Sequence, residues 1–131
     1  MVKIIIAGSR SFNNYNYLYE RIKWVLQIEK IHLHDVEVVC GMAKGADKLG
    51  EDFAVDHLLQ VKYFPADWDR YGKQAGYIRN KQMAEYCDYY ICFYDGQSKG
   101  TKLMINLAIQ YNKPTYVFNY NKNQFYHYIP R

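Results

Sequence analysis

Residues 91–104 read "ICFYDGQSKGTKLM". An apolar run that begins at Tyr89 stops at Tyr94, passes into Asp95, two glycines, a serine and lysines, and turns apolar again from Leu103. A short continuous apolar run closed by turn residues fits a strand buried on both faces. From Thr101 to Tyr111 the apolar residues recur at helical spacing. A strand, a glycine-bearing corner and a helix follow one another within about two dozen residues, which is the local signature of a βαβ crossover.

The same succession repeats along the chain. Val2 to Ala7 is a β-branched apolar run ending at Gly8, and "VEVVCG" (Val36 to Gly41) and "VKYFPA" (Val61 to Ala66, stopped by Pro65) read as the second and third strands. Thr115 to Phe118 reads as the fifth. Between them lie helical patterns over Tyr15 to Glu29 (Leu18, Ile22, Val25, Leu26, Ile28), over Ala46 to Leu59, and over Lys73 to Cys87 after a polar loop around Trp68 and Tyr71. Strands alternating with helices predict a mainly parallel sheet covered on both faces. Right-handed crossovers then favour an α/β, three-layer Rossmann-like layout with five strands in the order 3-2-1-4-5. At 131 residues and 50% hydrophobic, with no repeat, linker or low-complexity stretch, the chain is expected to form one domain over residues 1–131.

The totals exclude some classes and leave others. A net charge of +4 is too mild to demand nucleic acid by itself. Fifteen tyrosines predict many half-exposed rings. Cys40, Cys87 and Cys92 are odd in number, sit in apolar segments and lack CxxC or Cys/His spacing, so reduced thiols and a cytoplasmic setting are expected. The apolar run in "MVKIIIAGSR" is too short for a leader or a membrane span, so no membrane partner is expected. His32 and His34 alternate before a strand, and His57 and His127 stand alone; no metal site and no cofactor is predicted.

Ligands of open α/β sheets bind beyond the carboxyl ends of the strands where the strand order reverses, here between the first and fourth strands. Three corners leave that edge. In the first, Gly8 lets backbone amides approach a ligand beside Ser9, and Arg10 can fork onto phosphate oxygens; the plain alternative is a tight turn with a solvated arginine. The second, "GMAKGAD", spans Gly41, Lys44, Gly45, Ala46 and Asp47. It is neither GxGxxG nor a P-loop, but amides at a helix start still suit an anion. Asp47 has two roles open to it: bonding a ribose hydroxyl or moving a proton, or capping the helix. Glu51 is one turn further on. The third corner is "DGQSKGT", where Asp95, Gly96, Ser98, Lys99, Gly100 and Thr101 offer a tight loop, hydroxyls and the amides that open the next helix. It is the best phosphate cradle in the chain, set against an ordinary turn.

"YIRNKQMAEYC" adds Arg79 and Asn80. Asn80 shares a helix face with Met83, Ala84 and Cys87, so it points toward the sheet and needs a partner, in a neighbouring loop or in the ligand. Arg10, Lys44, Lys48, Lys73, Arg79, Lys81, Lys99 and Lys102 all fall in or beside these segments, a placement that suits a polyanion.

Taken together, "GMAKGADKLGEDFA", "FPADWDRYGKQAGYIRNKQMAEYCD" and "DGQSKGTKLM" resemble the YspA-type (YpsA-related) branch of the SLOG superfamily, whose relatives include DNA-processing protein A and the lonely-guy phosphoribohydrolases. The similarity runs from the first strand to the fifth. It implies a Rossmann-like fold that binds or hydrolyses nucleotides and their derivatives. The lonely-guy enzymes carry an arginine before the fourth-strand segment and a PGGxGTxxE loop after it. Arg79 matches that arginine, and Gly96, Gly100 and Thr101 fall along the loop. Asp95 stands where proline is expected, Gln97 is a further departure, and the catalytic glutamate falls on Met104, whose thioether is no acid or base.

The expected function is therefore binding of a small phosphate-bearing nucleotide or nucleotide-sugar derivative, as a sensing or sequestering module. The alternatives are an N-glycosidic hydrolase in which Arg79 and Asp47 are catalytic, and a single-stranded nucleic-acid binder in which Tyr71 and Tyr77 stack bases. Relatives of this fold often pair, so a homo-oligomer is compatible with either.

Overall fold

Strand β1 (Val2–Gly8) is apolar without a break from Ile4 to Ala7 because both of its faces are covered. Residues alternate between the two faces of a strand. Ile4 and Ile6 accordingly join a core layer with helices α1 (Tyr15–Ile28) and α2 (Ala46–Asp56). Ile5 and Ala7 join the opposite layer with α4 (Ala75–Tyr86) and α5 (Lys99–Gln110). The same division separates Ile91 and Phe93 from Tyr90 and Cys92 on β4 (Tyr89–Tyr94). This computed structural model describes residues 1–131.

The sheet is completed by β2 (Val36–Cys40), β3 (Gln60–Tyr63), β5 (Thr115–Asn119) and β6 (Gln124–Tyr128), in the order β3-β2-β1-β4-β5-β6. The first five strands are parallel and reproduce the 3-2-1-4-5 order. The sixth was not expected. It folds back on β5 in antiparallel register, Asn119 opposite Gln124 and Thr115 opposite Tyr128. Its residues are mostly exposed, so it lacks the continuous apolar run that marks the inner strands. Phe125 packs 5.1 Å from Phe118 and 5.3 Å from Trp24 between ring centroids, and His127 stacks on Tyr116 at 3.9 Å.

Other boundaries move for identifiable reasons. Strand β3 stops at Tyr63, before Pro65, which has no amide to donate. Helix α2 ends at Asp56 rather than Leu59, and Leu58 adopts a left-handed φ of 57° and is 92% exposed. The segment around Trp68 is not a plain loop but a short helix α3 (Trp68–Tyr71), capped by Asp67 Oδ1 accepting from the Arg70 amide at 3.1 Å. A 3₁₀ turn, Gly72–Gln74, then precedes α4, so that helix starts at Ala75 rather than Lys73. The three cysteines are free and buried. No helix is long and apolar enough to cross a membrane.

Helix α2 lies close on β1 because Gly50 has no side chain. A Cβ there would sit 2.7 Å from Ile6 Cγ2 and 3.0 Å from the Ile6 carbonyl oxygen. Overpacking of this kind costs about 1–3 kcal/mol, against a helix-propensity gain of about 1 kcal/mol for alanine over glycine. Gly50→Ala is therefore expected to lower the urea midpoint of unfolding; an unchanged or raised midpoint would contradict this packing.

Candidate functional site

Adjacent strands β1 and β4 are followed by helices in opposite layers, α1 on one side and α5 on the other, and this opens a cleft at their carboxyl ends. A cavity of about 440 Å³ lies there, a size within the usual range for small-ligand pockets. Of the residues expected at the site, Gly8, Arg10, Asp47, Arg79, Asn80, Asp95, Ser98, Gly100 and Thr101 line it. Ser9, Gly41, Lys44, Gly45, Ala46, Gly96 and Lys99 do not. A larger groove of about 780 Å³ runs between α1 and β6, beside Trp24 and Phe125. None of its charged residues is buried, so it lacks the desolvated polar groups that fix a ligand's orientation.

The residues behind the wall hold the corners together. Ser9 is buried; its amide donates to the Phe93 carbonyl at 2.9 Å, and its hydroxyl accepts from the Asp95 amide at 3.0 Å. The Ser9 carbonyl accepts the Ala46 amide at 3.3 Å, joining the first corner to the start of α2. Gly45, at φ 73°, allows that approach: a Cβ would lie 2.4 Å from the Ser9 and Arg10 carbonyl oxygens. Met42, in the same corner, is left-handed at φ 65° without being glycine, a strain of the kind that concentrates at functional sites. Gly96 turns away from the cavity toward Asn119.

Asp47 occupies the centre. Its carboxylate accepts from the Gly8 amide at 3.4 Å and from the Ala43 amide at 3.3 Å. It is 6% exposed. Burial pushes its pKa above the ordinary carboxylate value, and the Ala43 amide, Arg79, the Gly8 amide and Arg10 oppose that shift without cancelling it. Arg79 approaches from α4. It donates through Nη1 to the Gly41 carbonyl and through Nε to Asn80 Oδ1 at 2.8 Å, which gives Asn80 its partner. The Asp47 carboxylate and the Arg79 guanidinium both border the space beside Gly41, at 2.9 and 3.3 Å from where a Cβ would be. Burial lowers the Arg79 pKa, and the like charge of Arg10 adds to this.

The third corner is differently arranged. Asp95 Oδ1 accepts from the Gln97 and Ser98 amides, both at 2.8 Å. Burial would raise the Asp95 pKa, but those two amides and Ser9 outweigh it, and the net shift is downward. Ser98 caps α5, accepting from the Thr101 amide at 3.3 Å and from its hydroxyl at 3.0 Å. The Thr101 amide is therefore occupied, whereas the Lys99 and Gly100 amides have no partner in the chain. Those two, with the Arg10 side chain and the free part of the Arg79 fork, are among the donors available to an anion.

Several lining residues escaped the sequence reading: Ala7, Ser11, Ala43, Met83 and Tyr90. Ala43 and Ser11 are loop neighbours of predicted residues. Met83 and Tyr90 looked like core, because period alone cannot say that a core position ends at a cavity. Met104 also lines it and is buried. Of the eight cations near these segments only Arg10 and Arg79 line the cavity, and Lys48 pairs along its own helix with Glu51 at 3.4 Å and Asp52 at 3.0 Å. No group of three or more His, Cys, Asp or Glu side chains is placed to hold a metal ion.

Residues 2–71 match a family model, YAcAr, described as the YspA, cpYpsA-related SLOG family. Among solved structures, the X-ray structure of DNA processing protein A (DprA) from Streptococcus pneumoniae superposes with a TM-score of 0.68 at 16% identity. The match covers 89% of this chain and 50% of that one, so this chain spans about half the length of that protein, and at such identity the likeness concerns the fold. No curated protein matches.

The raised pKa of Asp47 has a testable sign. A carboxyl whose native pKa exceeds its unfolded value, about 3.9, contributes stability that is full below that pH and is lost as pH rises through the native pKa. The unfolding free energy of the native chain relative to Asp47→Asn is therefore expected to fall as pH rises from about 4. Asp95 is common to both proteins and cancels. A difference that grew with pH in urea titrations would place the Asp47 pKa below its unfolded value and contradict this assignment.

Proposed function

We propose, from the premise that this chain belongs to the YspA, cpYpsA-related SLOG family, that it binds a small phosphate-bearing nucleotide or nucleotide-sugar derivative in the 440 Å³ cavity without cleaving it. The observation that carries the reading is the pair of unpartnered amides at Lys99 and Gly100, which open α5 at the edge of the cavity that Arg10 and Arg79 also line. Amides at a helix start and a planar guanidinium fork both match phosphate oxygens. Asp47, an acceptor beside them, suits a ribose hydroxyl.

Binding without cleavage follows from the acids within reach. Asp47 and Asp95 are the carboxylates that line the cavity. Asp95 is held ionised by its own loop and does not donate a proton. Met104 stands where the resemblance to the lonely-guy loop puts a glutamate, and a thioether neither moves a proton nor steadies a ribosyl cation. A second reading, N-glycosidic hydrolysis, rests on one specific observation: Asp47 is buried with a raised pKa, which suits a general acid, and Arg79 is next to it. Chromatography separates the two. Binding alone leaves nucleotide intact over hours, whereas hydrolysis releases free base and stops in Asp47→Asn.

A nucleoside 5′-phosphate at a hundred times its dissociation constant is expected to stabilise the chain by about 2.7 kcal/mol, and the parent nucleoside at the same concentration by less. Arg10→Ala and Arg79→Lys each remove a charge-assisted contact worth about 1.5–3 kcal/mol, so each is expected to weaken nucleotide binding about tenfold or more and to leave nucleoside binding unaltered. Equal affinity for nucleotide in both variants and the native chain, by calorimetry, would rule out this phosphate position.

A further inference from the structure

Tyr90 is fully buried on β4, on the face shared with Met83 and Met104, and it forms part of the cavity wall. Its hydroxyl is the one buried side-chain polar atom in the chain without a hydrogen-bond partner. The Cys92 thiol is near enough to influence its titration, yet the two do not meet hydrogen-bond geometry. A buried hydroxyl left unpaired is costly, and phenylalanine would fill the same space without that cost. An unsatisfied polar group in a native interior calls for an explanation, and one that borders an accessible cavity has an obvious one: its partner arrives from outside.

We propose that the Tyr90 hydroxyl reads the base of the bound nucleotide, donating a hydrogen bond to an acceptor on the base edge beside Met83 and Met104. The inference rests on the nucleotide reading above and adds an orientation to it. The lining of the cavity is of two kinds. Arg10, Ser98, Gly100 and Thr101 supply polar lining from the corners, and Ala7, Met83 and Met104, which share the core layer of Tyr90, supply apolar lining. Thioethers pack favourably on flat aromatic rings, so the two methionines suit the faces of a base while Tyr90 meets its edge. Burial holds Tyr90 protonated well above neutral pH, so the group is a donor throughout the physiological range. Asp47 is then left to a ribose hydroxyl and the α5 corner to the phosphate. A sugar phosphate without a base would leave the tyrosine as unpaired as before.

Tyr90→Phe removes only the oxygen. Calorimetric titration of the full chain and of this variant with AMP, GMP, CMP and UMP, and with ribose 5-phosphate, tests the assignment together with thermal unfolding of both proteins without ligand. The nucleotide that binds the native chain tightest is expected to bind the variant about five- to tenfold more weakly, with ribose 5-phosphate unchanged and the unfolding midpoint equal or higher. Equal nucleotide affinity in the two proteins would overturn the role of Tyr90 while leaving the nucleotide reading intact. A lowered midpoint of unfolding would show that the hydroxyl serves the fold, and would overturn it too. Failure of all four nucleotides to bind the native chain would overturn both.

Discussion

A carboxylate enclosed by the protein holds this site in shape. Asp47 reaches back from the first turn of α2 to accept the amides of Gly8 and Ala43, so that one side chain ties the end of β1 to the corner after β2. The Ser9 carbonyl makes the reciprocal link to Ala46, and Gly45 leaves room for it. Burying an ionisable group is expensive unless hydrogen bonds and opposite charge compensate. Here two amides and two arginines supply that compensation in part, and the residual penalty is visible as the upward pKa. Because Arg79 is anchored on Gly41 and Asn80, its position depends on the same corner that Asp47 closes.

The three glycine-bearing corners divide their work accordingly. In many nucleotide-binding α/β proteins the first helix start receives the phosphate directly. In this chain the Gly8 and Ala43 amides already face an internal anion, and Ala46 faces Ser9. A phosphate placed there would compete with Asp47 and meet its charge at short range. The α5 corner is the complement. Its own acid, Asp95, is turned into the loop to hold Gln97 and Ser98, and the helix start beyond it keeps two amides unpaired. The Gly8, Ala43 and Ala46 amides are thus taken from within and the start of α5 is left for a guest, with Arg10 and Arg79 at the junction.

What could be foreseen in the sequence followed from period and punctuation. The apolar runs closed by Gly8, by Gly41 and by Asp95 specify buried strands and their corners, and the crossover rule then fixes the order of five strands. β6 was invisible for the opposite reason. "QFYHY" lies on an exposed edge, and its pairing with β5 comes from hairpin geometry rather than from burial. At the site, the chain positions of Asp47, Arg79 and Gly100 could be foreseen from their corners, but the direction of hydrogen bonds could not. Thr101 offered an amide on paper, and Ser98 takes it as a cap. Lys99 and Lys44 carry charge in the right segments and project into solvent, because a helix start orients its side chains outward as readily as inward. Tyr90 read as core, which it is, and only three dimensions show that the core ends there at a cavity.

Anion binding depends on which amides are free to meet it, and a nitrogen–proton correlation spectrum recorded during titration with AMP observes them individually. Large shifts are predicted at Lys99 and Gly100 and at the Arg79 side-chain Nε, with Gly8 and Ala43 moving little because Asp47 continues to hold them. Dominant shifts at Gly8 and Ala43, with Lys99 and Gly100 unmoved, would mean that the ligand displaces Asp47 and occupies the other corner, and would contradict the account.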